Sequence, residues 1–264
     1  MRLTRLIGIV SIAAAAMATC ASADGPTAGG TANEAFSPDG RSSYIAVPHR
    51  NKSTTLQFWR DARRIRAVKL QGYFGFPIVA ADGTSEGASR DGKTLVLTTG
   101  LGHFRVLDAH TLRLQEVVKL SRQFSYDALS PHARTLYLIQ HVASPNSNRY
   151  YVRAYDLQRH RLLKKPIFDT REKWSLMSGM PVTRATSRSG RWVYTLYTRP
   201  GGKPFVHSLD SVHRKAVCVD LPWMHDQNQL FGGKLQLSRD ERKLRLRSGS
   251  GSVWTIDTRT FRVS

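Results

Sequence analysis

Short apolar stretches separated by polar turns run through residues 33–264, with no convincing amphipathic helix among them. Many of these stretches are rich in β-branched and aromatic residues, which favour β-strands. The clearest are Thr94–Thr98, Phe104–Leu107, Thr135–Ile139, Tyr151–Tyr155, Trp192–Leu196 and Val253–Ile256. The pattern therefore predicts an all-β protein.

Two turn motifs recur in a fixed order. The first is a serine-led turn of the Ser-Pro-Asp-Gly-Arg type, at Ser37–Arg41, Ser89–Lys93, Ser130–Arg134, Ser187–Arg191 and Ser238–Arg242. The second is an aspartate followed five residues later by Arg or Lys, at Asp61, Asp108, Asp156, Asp210 and Asp257. These aspartates are 47, 48, 54 and 47 residues apart, and such a period indicates a solenoid, propeller or array. Asp caps its own turn and Gly accepts a positive φ, so we interpret the repeated residues as structural.

Each repeat contains four strand-like segments, which is the content of one blade of a β-propeller. The sequence predicts five four-stranded blades within residues 33–264. Six blades are the alternative, because the long segment 163–186 could hold extra strands. We expect a closed ring in which blades one and five share no strand and meet by face packing.

The repeats resemble a known family. The Ser-Pro-Asp-Gly-Arg turn, the Leu-Tyr-Leu strand at residues 136–138 and the Ile-Asp-x-x-Thr-x-x-Val turn at 256–263 are similar to YVTN-type bacterial propeller repeats, which are broadly WD40-like. The resemblance implies a propeller fold and says almost nothing about activity. This chain departs from the pattern at Ser189, His132 and Ala133, and that family usually has seven blades.

The N-terminus has the order of a secretory signal. Arg2 and Arg5 precede an apolar stretch from Leu6 to Met17, followed by small residues up to Ala23. We expect 1–23 to be a signal peptide, 24–32 a linker and 33–264 the propeller, with an extracytoplasmic location and no membrane span in the mature chain. The alternative is a lipid anchor at Cys20. Cleavage after Ala23 leaves Cys218 as a single cysteine, most simply a small buried residue on a strand.

The chain is strongly basic, with 40 Lys and Arg against 19 Asp and Glu. In a propeller the turns joining strands one and two, and three and four, fall on one face. That face, the turn face, collects Arg41, Arg63, Arg64, Arg66, Arg90, Arg113, Arg134, Arg159, Arg161, Arg188, Arg191, Arg214, Arg239, Arg242, Arg259 and Arg262. The charge predicts an anionic polymer, lipid headgroups or an acidic protein as partner, and no specific nucleic acid. A merely soluble, arginine-rich surface is the alternative, and the sequence leaves the oligomeric state open.

The opposite face takes the long loops, where binding residues concentrate. The candidate ligand site there is Trp223, His225, Asp226, Tyr126, Asp127 and His141. Trp and Tyr offer rigid apolar surfaces while His and Asp add directional hydrogen bonds, a mixture suited to sugars or peptide side chains. Alternatively, Trp223 and Tyr126 are buried between blades, and Asp127 and Asp226 cap their own loops.

Recognised catalytic motifs are missing, including His-Glu-x-x-His, Gly-x-Ser-x-Gly and a phosphate-binding glycine loop. We therefore predict no catalytic residues, metal site or cofactor, and favour an exported, non-catalytic binding propeller. The alternative is an envelope hydrolase of the lactonase or glycosidase kind, with its site at the channel mouth. Its paired carboxylates would come from Asp82, Glu86, Asp127, Asp169, Glu172 and Asp226.

Overall fold

The computed structural model describes residues 30–142, 148–169, 171, 176–222, 224–247 and 253–264. The expected signal peptide, Cys20, Trp174 and Trp223 lie outside these residues. Antiparallel strands make up most of the described chain, and the sheets are the blades of a propeller. This confirms the all-β prediction. Within the described residues, no helix is long and apolar enough to cross a membrane.

In the described part of the chain, five blade sheets follow one another, and a separate two-stranded sheet is formed by β1 (Thr31–Ala32) and β6 (Phe76–Pro77). Blade 1 consists of β2 (Glu34–Phe36), β3 (Ser42–His49), β4 (Ser53–Arg60) and β5 (Arg63–Gln71). After β6 (Phe76–Pro77), blade 2 has β7 (Thr94–Thr98), β8 (His103–Asp108) and β9 (Leu114–Lys119). Blade 3 has β10 (Phe124–Leu129), β11 (Thr135–His141), β12 (Arg149–Asp156) and β13 (Arg161–Leu162), with β14 (Met177–Ser178) also paired to β12.

Blade 4 has β15 (Met180–Thr186), β16 (Trp192–Thr198), β17 (Phe205–Asp210) and β18 (Lys215–Asp220). A 3₁₀ helix, η1 (Gln227–Gly232), leads to blade 5, which has β19 (Lys234–Leu237), β20 (Lys243–Arg247) and β21 (Val253–Asp257). In blades 2 and 5 the fourth strand is reduced to single bridges, Ala88 to Leu95 and Val263 to Ile256. The described part of segment 163–186 joins blades 3 and 4 and forms no sixth blade. Thr31 and Ala32, expected in the linker, pair with β6 instead.

The repeated turns have one shared geometry. Each aspartate of the first motif accepts hydrogen bonds within its own turn, as Asp91 does from the Ser89 hydroxyl at 2.7 Å and the Lys93 amide at 3.1 Å. In the fourth copy Ser189 takes over this role, accepting a bond from the Arg191 amide at 3.3 Å. The fourth residue of every copy has a positive φ: Gly40, Gly92, Ala133, Gly190 and Glu241. These contacts support the structural interpretation of the motif.

The core lies between successive blades. Separate clusters of buried apolar side chains join blades 1 and 2, blades 2 and 3, blades 3 and 4, and blades 4 and 5. Among the described residues, no such cluster joins blade 5 to blade 1, and no hydrogen bond or ion pair links residues 34–71 to residues 234–264. The face packing expected between these two blades is not seen among the described residues, and the two blades share no strand, as predicted.

Candidate functional site

A buried arginine occupies the hub of the propeller. Arg184 lies on β15, and only 2% of its side chain is exposed. Its guanidinium is 2.6 Å from Oδ1 of Asp127 on β10 and 3.3 Å from Oε2 of Glu86, which precedes blade 2. Its Nε also donates to the Thr195 hydroxyl at 2.9 Å. One side chain thus ties together the innermost segments of blades 2, 3 and 4.

A β-bulge prepares Asp127 for this contact. The pairing of β10 with β11 shifts between Tyr126 and Ala128, so Asp127 has no partner in the ladder. A bulge frees backbone groups and redirects a side chain. Arg184 binds both the carboxylate and the backbone of Asp127, because its guanidinium also donates to the Asp127 carbonyl oxygen. Buried charges normally require such pairing.

The hub stabilises the charged form of Arg184 but destabilises the charged form of Glu86. Burial lowers the pKa of Arg184, but the carboxylates of Glu86 and Asp127 outweigh burial and raise it above its ordinary value. Burial raises the pKa of Glu86 despite the opposing charge of Arg184. Two carboxylates therefore share one guanidinium in the hub. Oδ2 of Asp127 is buried without a hydrogen-bond partner among the described residues.

The loop between β6 and β7, residues 78–88, makes a second set of contacts near the hub. We call this loop the strap. The Asp82 carboxylate accepts from Lys234 Nζ at 2.8 Å and from the Thr183 hydroxyl at 2.8 Å. The Asp82 amide donates to the Val182 carbonyl at 3.1 Å, and the Ser85 hydroxyl donates to the Glu34 carbonyl at 3.1 Å. The strap therefore touches the innermost strands of blades 1, 4 and 5.

A polar row crosses blade 4 from the hub towards its outer edge. Arg184 pairs with Thr195, Thr195 with His207 and His207 with Cys218 in the strand registers. Cross-strand partners lie on one face of a sheet, so these four side chains form a line through an apolar cluster. Nδ1 of His207 is 3.6 Å from Sγ of Cys218, and its Nε2 has no hydrogen-bond partner among the described residues. Burial lowers the pKa of His207 to about 4, so this imidazole is neutral at physiological pH.

The candidate ligand residues have separate environments. Tyr126 is buried in the core between blades 2 and 3, and Asp127 is paired with Arg184. His141 is also buried, and its Nε2 is 3.1 Å from the Ser125 hydroxyl. His225 and Asp226 are exposed, and Asp226 caps η1 by accepting from the Asn228 amide at 2.9 Å. Trp223 lies outside the described residues.

The sequence analysis missed Arg184. Arg184 lies between Thr183 and Ala185 in an apolar inner strand, and a charged residue in such a strand requires a buried partner. This position in the sequence could have predicted a buried ion pair. The loop acids considered for a hydrolase include Asp82, Glu86 and Asp127, and each of them forms an ion pair with Arg184 or Lys234. The described residues contain no group of three or more side chains able to hold a metal ion.

Comparisons with known proteins identify the fold. Neither a protein-family model nor a curated protein sequence matches the chain. Among solved structures, the β-propeller domain of Cps50 (Swd1) from Myceliophteria thermophila is similar, with a TM-score of 0.53 and 13% identity over 89% of this chain and 70% of that one. Hydrazine synthase from Kuenenia stuttgartiensis has a TM-score of 0.47 and 14% identity over 89% of this chain and 79% of that one. At these identities the similarity to the Swd1 domain shows a β-propeller fold alone.

Proposed function

We propose that the chain is an exported, non-catalytic β-propeller that binds an anionic component of the cell envelope. The observation that carries the proposal is a set of exposed arginines without acid partners on the turn face. Arg63, Arg64 and Arg66 on β5 and Arg161 on β13 are all exposed, and no described acidic side chain pairs with them. These four guanidinium groups are free to meet phosphate or carboxylate groups of a partner.

Other arginines of the same face are already neutralised. Arg191 pairs with Asp210 at 2.7 Å, Arg159 with Asp156 at 3.3 Å, and Arg41 with Asp61 at 3.5 Å. The turn face therefore carries less unpaired positive charge than its number of arginines suggests. Exposed arginines without an ion pair among the described residues also lie in blades 2, 4 and 5, at Arg113, Arg214 and Arg242, so we expect every blade to contribute to the attraction of an anion.

The hub supports the non-catalytic part of the proposal. A glycosidase needs two carboxylates that face a substrate, with one of them activated as an acid. Here Asp127 has 4% of its side chain exposed and shares Arg184 with Glu86. Both carboxylates are bound to the guanidinium of a buried arginine, which favours a structural role for them.

Binding to two envelope anions tests the function. The purified protein is incubated with phosphatidylglycerol vesicles or with isolated cell-wall fragments over a salt series from 20 to 500 mM, and bound protein is measured by co-sedimentation. We expect retention at low salt and release as salt rises, since exposed charges are screened. Replacing Arg63, Arg64, Arg66 and Arg161 by Glu should weaken retention at least tenfold.

A charge-matched control makes this test specific. Arg50, Lys52, Arg122 and Lys203 are exposed on loops of the opposite face, and reversing all four changes the net charge by the same amount. This control variant should keep its binding if the turn face is the surface used. Equal losses in both variants, or no retention of the wild-type protein at 20 mM salt, would contradict the proposal.

Export is tested separately. Residues 1–23 are fused to a reporter enzyme that is active only outside the cytoplasm, and the N-terminus of the secreted product is sequenced. We expect activity and cleavage after Ala23. A product that carries lipid on Cys20, and loses it in a Cys20→Ser variant, would replace cleavage after Ala23 by the lipid-anchored alternative.

A further inference from the structure

A groove on the turn face lies between blades 2 and 3. Its volume is about 430 Å³, and side chains of both blades line it. Near the centre of the propeller the serine-led turns of the two blades are joined, because the Asp91 amide donates to the Pro131 carbonyl at 3.1 Å. Further out, His160 of blade 3 meets Glu116 on β9 of blade 2 at 3.0 Å. Contacts between the blades therefore fix both ends of the groove.

The two acidic side chains of the groove are already bound. Oδ2 of Asp91 accepts from His132 Nδ1 at 3.2 Å. Oε1 of Glu116 accepts from the Tyr155 hydroxyl at 2.8 Å and from His160 Nδ1 at 3.0 Å. Both carboxylates belong to blade 2, and all three donors belong to blade 3. The acids of the groove are thus used to hold the two blades together.

The two cationic side chains of the groove are unpaired. Lys93 and Arg134 occupy the last position of their serine-led turns, and both are exposed. Neither side chain forms an ion pair or a hydrogen bond with any described residue. Their backbones are held in place, since the Lys93 carbonyl accepts from the Ala109 amide at 2.8 Å and the Arg134 carbonyl from the Leu157 amide at 3.0 Å. The groove therefore presents two positive charges from fixed positions.

The same position of the repeat is neutralised elsewhere. In blade 4 it is Arg191, which pairs at 2.7 Å with Asp210, the aspartate of the second motif. In blade 3 the corresponding aspartate, Asp156, is bound by Arg159 at 3.3 Å instead, so Arg134 has no acid within its own blade. The unpaired charge of Arg134 thus distinguishes this groove from the equivalent region of blade 4.

Amide and apolar side chains complete the groove. Gln115 on β9 and Gln158 in the aspartate turn of blade 3 both line it and are exposed, and their side-chain amides have no hydrogen-bond partner among the described residues. Val106 and Leu157 also line it, and they belong to the core cluster of blades 2 and 3. An amide both donates and accepts hydrogen bonds. The groove therefore offers unpaired cations, amides and apolar surface side by side.

We propose that this groove binds an acidic saccharide, a sugar chain that carries carboxylate groups. Lys93 and Arg134 would bind a carboxylate, as such cations commonly do. Gln115 and Gln158 would exchange hydrogen bonds with ring hydroxyls, and the CH groups of a ring would contact Leu157. The volume of the groove lies within the roughly 300–1,000 Å³ of small-molecule sites. This inference rests on the proposed function, because it names the chemistry of the anionic partner.

Two other occupants match the lining less completely. An inorganic phosphate or a lipid phosphate would bind the two cations and would leave the amides and the apolar surface without partners. An acidic peptide would supply carboxylates, but glutamate and aspartate carry no hydroxyl groups beside them. Charge alone does not separate these ligands from a sugar acid, so the test compares probes that share the charge and differ in the rest.

Four probes test the inference by isothermal titration calorimetry at pH 7 in 50 mM salt. Trigalacturonate is a sugar chain with three carboxylates, and maltotriose is a neutral sugar chain of the same length. N-acetyl-triglutamate amide is a peptide with three carboxylates, and inorganic phosphate is a simple anion. We expect trigalacturonate to bind at least tenfold more tightly than each of the others. Equal binding of the peptide or of phosphate, equal binding of maltotriose, or no binding of trigalacturonate overturns the inference.

Variants of the lining locate the site. Lys93→Gln with Arg134→Gln should weaken binding of trigalacturonate at least tenfold, and Gln115→Ala with Gln158→Ala at least threefold. The control is Arg214→Gln with Arg242→Gln, which removes two exposed, unpaired arginines of the turn face outside the groove. This control should bind trigalacturonate within twofold of wild type.

Near-ultraviolet circular dichroism checks that each variant is folded, and the two lining variants test the site independently of each other. Unchanged binding in a folded Lys93→Gln, Arg134→Gln variant would exclude the groove. An equal loss in the control would show attraction by the whole turn face, and it would overturn the inference as well.

Failure of this inference is distinguishable from failure of the proposed function. If trigalacturonate does not bind while vesicles or cell-wall fragments are retained at low salt, the acidic saccharide is wrong and the anion-binding function stands. If neither vesicles nor wall fragments are retained, the proposed function is contradicted, whatever the calorimetry shows.

Discussion

The stability of this protein should fall between pH 6.5 and pH 4 because of one buried histidine. His207 is 2% exposed, and burial lowers its pKa to about 4 from an unfolded value of 6.5. Above pH 6.5 the imidazole is neutral in both states and has no effect on the pH dependence. As the pH falls from 6.5 to 4, the unfolded chain takes up a proton that the folded chain excludes, so unfolding becomes easier. Below pH 4 both states are protonated and the effect is complete.

The size of the loss follows from the shift. One pKa unit corresponds to about 1.4 kcal/mol, so a shift from 6.5 to about 4 corresponds to about 3 kcal/mol. This is a large share of the roughly 5–15 kcal/mol that stabilises a typical domain. The nearby charges change it little, because Asp127 raises the pKa of His207 while Arg184 lowers it.

Urea unfolding followed by tryptophan fluorescence, at half-unit steps from pH 7.5 to 4, measures this loss. His207→Gln removes the titrating group but keeps a polar side chain. We expect the variant to be less stable than wild type at pH 7 and to lose about 3 kcal/mol less than wild type between pH 7 and 4. His225→Gln, at an exposed position, is the matched control for removing a histidine. If the curves of wild type and His207→Gln run parallel, His207 is not a buried neutral base and the reasoning fails.

Three further predictions concern the hub and the turns. Arg184→Met should cost about 3–5 kcal/mol of unfolding free energy, since it leaves Asp127 buried and unpaired, and adding Asp127→Asn should recover part of the loss; additive losses in denaturant titrations would contradict this. Ala133→Gly should raise the melting temperature by relieving a φ of 49°, worth about 1 kcal/mol, while Gly92→Ala, at φ 68° with open space for the new methyl group, should lower it; shifts of the same sign would count against the turn geometry. Hydrogen bonds from Arg191 and His213 outweigh burial and lower the pKa of Asp210 to about 2, so about 1–2 kcal/mol of stability present above pH 4 should be lost as the pH falls towards 2; Asp210→Asn should flatten that part of the acid-unfolding curve, and an unchanged curve would refute the assignment.

The blades could be predicted from the sequence because their determinants are local. A turn such as Ser89–Lys93 closes with hydrogen bonds between neighbouring residues, so its motif specifies its geometry wherever it occurs. The strand at Thr135–Ile139 follows from β-branched and aromatic residues directly after such a turn. Repetition of these local signals at a near-constant period is what indicates a propeller.

The hub could not be predicted because its determinants are distant in the chain. Arg184 meets Asp127 and Glu86 only after three blades have been arranged around a centre, and no spacing in the sequence encodes that arrangement. The lack of a core cluster between the described residues of blades 5 and 1 has the same origin. Apolar and basic residues alternate along β20, which predicts that the strand has one buried and one exposed face. The alternation does not predict which blade packs against either face.

The strap also changes how the protein can unfold. Repeat proteins in which each unit contacts only its neighbours tend to lose their terminal units first, one after another. Here Asp82, which follows blade 1, holds Thr183 and Lys234, which lie 101 and 152 residues further along the chain. Fraying of blade 5 must break Asp82 away from Lys234, so it disturbs a loop joined to blade 1 as well as blade 4. The strap thereby couples the two ends of the repeat array, so we expect blade 5 to fray less readily than the last unit of an array without such a loop.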